Sequence, residues 1–139
     1  MNLPQFKDFV RTTREGITVS RAVRIRREGS RPYVWTPAGI ASGATSVIHV
    51  QQQFPDSRKY EPLDSIEVVN NETSNDITLT INGTNTWNVP AGTIRVVHGD
   101  GVALWYIALT NDGAEATTQG KVVVTLQKEP MTIDKWSRR

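Results

Sequence analysis

Between residues 17 and 127 the hydrophobic positions of this chain recur at every second residue, separated by clusters of Gly, Pro, Asn and Asp. Nowhere does an apolar stripe hold a helical period for three turns. A period of two places apolar side chains on one face of a pleated strand and polar ones on the other, so the pattern predicts an all-β chain with almost no helix. In residues 17–27, Ile17, Val19, Val23 and Ile25 share one expected face, and Thr18, Ser20, Arg24 and Arg26 the other. A short strand is expected at 33–36 between Pro32 and Pro37. After a small-residue loop at 38–44, a longer strand is expected over 45–54, ended by Pro55, Asp56 and Ser57.

The second half repeats the pattern at closer intervals. Strands are expected at 66–70, 77–81, 86–89, 93–98, 102–110 and 121–127. Asn82-Gly83 is the strongest hairpin signal, because a type I′ turn needs positive φ at both central residues. Pro90-Ala91-Gly92, Asp100-Gly101 and Asn111-Asp112-Gly113 mark further turns. Residues 102–110 are apolar on both sides, which predicts a central strand containing Trp105 and Tyr106 in the core. Eight or nine strands about ten residues apart predict a single antiparallel β-sandwich, specifically a jelly roll. The expected organisation is an N-terminal arm at 1–16, a sandwich domain at 17–127 and a C-terminal arm at 128–139.

The arms mix charges with apolar anchors: Phe6, Phe9 and Val10 at the front, and Met131, Ile133 and Trp136 at the back. They are too polar to form a core and too apolar to be solvated spacers. Docking on a neighbouring chain accounts for that mixture, and so does folding back onto the chain's own sandwich.

The 139 residues suffice for one self-supporting core, and the absence of cysteine removes disulfides, thiolate chemistry and sulfur-rich metal sites. The longest nearly apolar run, 102–109, is far too short to span a membrane. The first residues, Met1-Asn2-Leu3-Pro4-Gln5-Phe6-Lys7-Asp8, contain no basic leader and no apolar export segment, so secretion is not expected. The Asn71 and Asn82 sequons then have no significance. A net charge of +2 conceals a division along the chain. Residues 1–60 carry ten Lys/Arg against four Asp/Glu, residues 61–127 two against eight, and residues 128–139 four against two. Basic ends flank an acidic middle, which reads either as a solvated surface with clustered charges or as ends that grip a partner.

Catalytic patterns are missing. His49 and His98 fall in separate strands outside any metal-ligand spacing, and no cofactor is expected. There is no nucleophile elbow, Walker A sequence or dinucleotide fingerprint, and Glu67, Asp76, Asp100, Asp112 and Glu115 fall mostly in or beside turns. The group Arg21, Arg24, Arg26, Arg27 and Arg31 with Tyr33 and Trp35 has the composition of a single-strand nucleic-acid groove. An acidic body beside it argues against binding by counterion release, so no nucleic-acid partner is expected. Carbohydrate binding stays open through the rings of Trp35, Trp87, Trp105 and Tyr106. Trp87, between Thr86 and Asn88, is the one expected to be exposed.

The segments 75–84 (NDITLTINGT), 87–92 (WNVPAG), 107–111 (IALTN) and 119–124 (QGKVVV) look like small structural proteins of tailed-bacteriophage virions. The overall plan, a cysteine-free jelly roll with terminal arms, resembles capsid cement (decoration) proteins of podovirus type. The resemblance covers about residues 65–127 by motif and the rest by layout. It implies a non-enzymatic protein made in the host cytoplasm and mounted on the capsid exterior. There it would clamp the major capsid protein, commonly as a homodimer or homotrimer, with no membrane partner. Tail or neck proteins with similar sandwiches, and carbohydrate-binding modules, are the alternatives. The expected partner-binding residues are Phe6, Phe9, Trp35 and Trp136 as aromatic contacts, with Arg24, Arg26, Arg27, Arg138 and Arg139 providing orientation and salt sensitivity.

Overall fold

A computed structural model describes residues 28–99 and 101–130 of the chain. Eight strands occur among the described residues: β1 (Tyr33–Trp35), β2 (Thr45–His49), β3 (Ser65–Asn70), β4 (Ile77–Ile81), β5 (Asn85–Val89), β6 (Thr93–His98), β7 (Tyr106–Asn111) and β8 (Val122–Gln127). They form two four-stranded antiparallel sheets, β1-β8-β3-β6 and β2-β7-β4-β5, packed face to face as an all-β sandwich. The pairs are nested: β4 with β5, β3 with β6, β2 with β7 and β1 with β8. The expected strand at 17–27, the N-terminal arm and residues 131–139 of the C-terminal arm expected at 128–139 lie outside the described residues.

Alternation builds the core. In β4, Ile77, Leu79 and Ile81 are buried while Thr78 and Thr80 face outward; in β8, Val122, Val124 and Leu126 are buried, as are Ile66 and Val68 in β3. Facing them from the other sheet, Ile107 and Leu109 of β7 are fully buried, and β7 is central, between β2 and β4. Each such side chain contributes roughly 1.5–3 kcal/mol through burial, which makes this alternation the main source of stability. The Asn82-Gly83 turn has φ of 55° and 75°, as a type I′ hairpin requires.

Two strands are shorter than expected. The strand predicted over 45–54 ends at His49; a short helix, α1 (Val50–Gln53), and a 3-10 helix (Pro55–Tyr60) follow. β2 pairs with β7 only as far as His49↔Tyr106, where β7 begins, and the last ladder-like bond is donated by Val50 N–H to Trp105 C=O at 2.9 Å. Beyond it β2 has no strand partner among the described residues, and Gln51, Gln52 and Gln53 close a helical turn that Phe54 N–H completes on Val50 C=O. Likewise β7 starts at Tyr106, not 102. Leu104 is drawn instead into an isolated bridge with Leu63, and both are fully buried.

The unit containing both sheets runs Ser30–Lys128, and its two ends are clasped together. Ser30 N–H donates to Lys128 C=O at 2.9 Å, and Lys128 N–H donates to Ser30 Oγ at 2.8 Å. Lys128 Nζ also donates to Pro62 C=O at 3.1 Å and lies 3.7 Å from Asp64.

Candidate interaction surface

The two outward faces of the sandwich differ in chemistry. In an antiparallel ladder, directly paired residues share a face. On the β2-β7-β4-β5 sheet the outward rows run Thr45, Thr110, Thr78, Asn88 and Val47, Ala108, Thr80, Thr86. The hydroxyls of Thr45 and Thr110 are 2.8 Å apart, and Thr78 donates to Asp112. This is mainly a hydroxyl and amide surface, with Val47, 39% exposed, the one large apolar side chain in these rows.

The β1-β8-β3-β6 sheet presents Val34, Thr125, Glu67 and Val96 in one outward row, Val123, Val69 and Ile94 in the next, and the polar Gln127, Ser65 and His98 in a third at the other end. Ile94 is 62% exposed, Val34 53% and Val96 48%. Glu67 is the only Asp, Glu, Lys or Arg at these outward strand positions. A contiguous apolar stripe across a sheet whose counterpart is polar marks an interaction surface. Sequence reading missed it. Val69, Val123, Ile94 and Val96 follow the strand alternation, but which parity faces out becomes visible only when the two sheets are stacked.

Of the expected partner-binding residues, only Trp35 is described. It is 7% exposed and faces inward on β1 as part of the core, so the expectation of an open docking ring is corrected: its parity on a three-residue strand points it at the opposite sheet. Phe6, Phe9, Arg24, Arg26, Arg27, Trp136, Arg138 and Arg139 lie outside the described residues. Tyr33 is also buried, with its ring 5.4 Å from Phe54 and the Arg31 guanidinium 4.3 Å above it. Burial pushes the Tyr33 phenol up, opposed by the neighbouring Arg31 charge. Neither ring is open for base stacking.

The tryptophan expectations are reversed. Trp87 sits opposite Leu79 in the β4–β5 ladder, on the inward face, and packs against the core. Trp105 is 40% exposed, since it precedes β7 rather than lying within it. Its backbone N–H donates to Asn82 Oδ1, as does that of Tyr106, both at 3.1 Å, while Asn82 Nδ2 donates to Ala103 C=O at 2.6 Å. Tyr106 is half-buried and meets the edge of His49 at 4.9 Å.

The opposite end of the sandwich is held by buried amides. Asn70 Nδ2 donates to the carbonyls of Asn75 and Val89, and Asn111 Nδ2 to those of Ile40 and Glu115. Thr118 N–H donates to Glu72 Oε1 at 2.7 Å. These bonds satisfy loop backbone that would otherwise be buried without partners. Among the described residues no group of three His, Cys, Asp or Glu is placed to hold a metal ion, and no helix is long and apolar enough to cross a membrane. No known protein family and no curated protein matches the chain.

Proposed function

We propose that this chain is a non-enzymatic structural binding protein that mounts on a phage capsid shell and stabilises it in the manner of a cement protein. The observation that carries the reading is the apolar outward face of the β1-β8-β3-β6 sheet beside a polar counterpart, the surface of a molecule built to be covered. The nested strand order supports describing the sandwich as a jelly roll, two interleaved Greek-key sheets of four strands. The clasp between Ser30 and Lys128 adds a second support, because it closes the sandwich as a unit whose two ends are the points at which the basic flanking sequences are attached. The partners are then the major capsid protein and further copies of the chain, on the capsid exterior, with no cofactor, nucleic acid or membrane involved. Purified protein added to preformed shells is expected to saturate at a fixed ratio and to raise their disruption temperature. Shells that neither bind it nor gain stability overturn the reading.

One observation favours a second reading, a carbohydrate-binding module: the exposed ring of Trp105 is positioned for stacking on a sugar. Glycan-array binding that disappears in Trp105→Ala, with shells ignored, would replace the first reading with this one.

A further inference from the structure

We infer that the outward face of the β1-β8-β3-β6 sheet is where a second copy of this chain docks, which deepens the self-association contained in the reading above and rests on it only there. Where the chain needs a solvent face it builds one, from Thr45, Thr78, Thr80, Thr86 and Thr110 on the other sheet. On this sheet it places Val34, Val69, Val123, Ile94 and Val96 around the single carboxylate of Glu67.

The size of the face bears on what covers it. Four strands at about 4.8 Å spacing and six residues at about 3.4 Å rise give a plan area of at most about 400 Å². A stable specific interface needs about 800 Å² per partner, so the face alone is too small and the rest must come from elsewhere on whatever docks there. This chain supplies such a remainder. Residues 1–29 combine Phe6, Phe9, Ile17, Val19, Val23 and Ile25 with seven Lys/Arg against three Asp/Glu, whereas Ser30–Lys128 carries six against nine. An apolar, cationic segment is the chemical complement of an apolar face with one carboxylate on an acidic body. That segment joins the sandwich at Ser30, just before β1 and clasped to the residue after β8, two adjacent strands of this same sheet. The contour length of 29 residues, up to about 100 Å, is several times the width of the sheet, so chain length does not limit contact between the segment of one copy and the face of another. Each copy thus carries both halves of the contact.

The test uses the full chain. Light scattering during size-exclusion chromatography is expected to show an oligomer at micromolar concentration. Ile94→Asp combined with Val96→Asp should raise its dissociation constant by about a hundredfold or more, and Thr86→Asp on the opposite sheet should leave it unchanged. Because the chain has no cysteine, Ile94→Cys and Thr86→Cys each provide a single reporter that needs no disruptive charge. The thiol at 94 should become slower to label as protein concentration rises, and the thiol at 86 should not. A wild-type chain that stays monomeric, as it would if its own flank covered the face, overturns the inference. So does a thiol at 94 whose labelling ignores concentration. Self-association through this face in a protein that ignores shells would overturn the shell reading and leave this inference standing; a monomer that coats shells does the reverse.

Discussion

Asn82 links a local turn to a distant loop. Its φ of 55° is a conformation that Asn tolerates better than other side-chain-bearing residues, and its amide bonds three backbone groups of residues 103–106. Asn82→Ala keeps the strained φ and loses all three bonds, so it should cost roughly 1–3 kcal/mol, read as a lower melting temperature with the same β-rich circular dichroism. Gly113 has a different kind of necessity. A Cβ there would lie 1.9 Å from Asn75 Oδ1 and 2.8 Å from Asn75 Cα, so Gly113→Ala must displace backbone and should destabilise by roughly 1–3 kcal/mol in urea unfolding. Adding a side chain at the other turn glycine, Gly83, meets no atom within 4 Å and costs only its positive φ. Asn82-Gly83 was legible in the sequence because a type I′ turn is a rule about two adjacent residues. Gly113 reads as one more turn glycine, and its real constraint comes from a residue 38 positions away that only the folded sandwich brings near.

At the level of elements, strict alternation located β4 and β8 almost to the residue, because a half-buried strand records its two faces in its own sequence, whereas β6, exposed along nearly its whole length, was bounded by its flanking turns. Alternation failed where a strand's extent depends on its neighbour. The expected strands 45–54 and 102–110 continue past the point at which β2 and β7 stop pairing, and cross-strand register decides that point and with it the fates of Trp87 and Trp105. The same register separates two isoleucine-class positions that look alike in the sequence. Leu109 sits at the centre of β7 and is fully buried, so Leu109→Ala should cost about 2–5 kcal/mol. Ile94, on the outward face of the edge strand β6, should tolerate Ile94→Ala within about 0.5 kcal/mol in the isolated chain at low concentration. Denaturant midpoints of the two variants under those conditions check the assignment. Equal losses would mean that the outward face is already part of the fold's own core.

For the whole molecule, the decisive quantity is how much stability resides between Ser30 and Lys128. Every member of the buried cluster among the described residues lies from Tyr33 to Leu126, both described sheets fall within the unit, and the two hydrogen bonds between Ser30 and Lys128 close it behind β1 and β8. A chain cut to residues 30–128 therefore retains this cluster and its clasp, and should melt within a few degrees of the full protein. Under the proposed shell-binding function its attachment to shells should be lost, because the aromatic and cationic groups of the flanks, Phe6, Phe9 and Trp136 with Arg24, Arg26, Arg27, Arg138 and Arg139, go with the deleted segments. Within the full chain those two groups should fail differently. Replacing the aromatics should weaken attachment at every ionic strength, since apolar burial is not screened. Reversing the arginines should weaken it most at low salt, where exposed charges act over a longer range, and little at high salt. A fragment 30–128 that melts many degrees lower while the full chain's attachment survives loss of the aromatics would place the flanks in the core of their own sandwich and remove them from the binding mechanism.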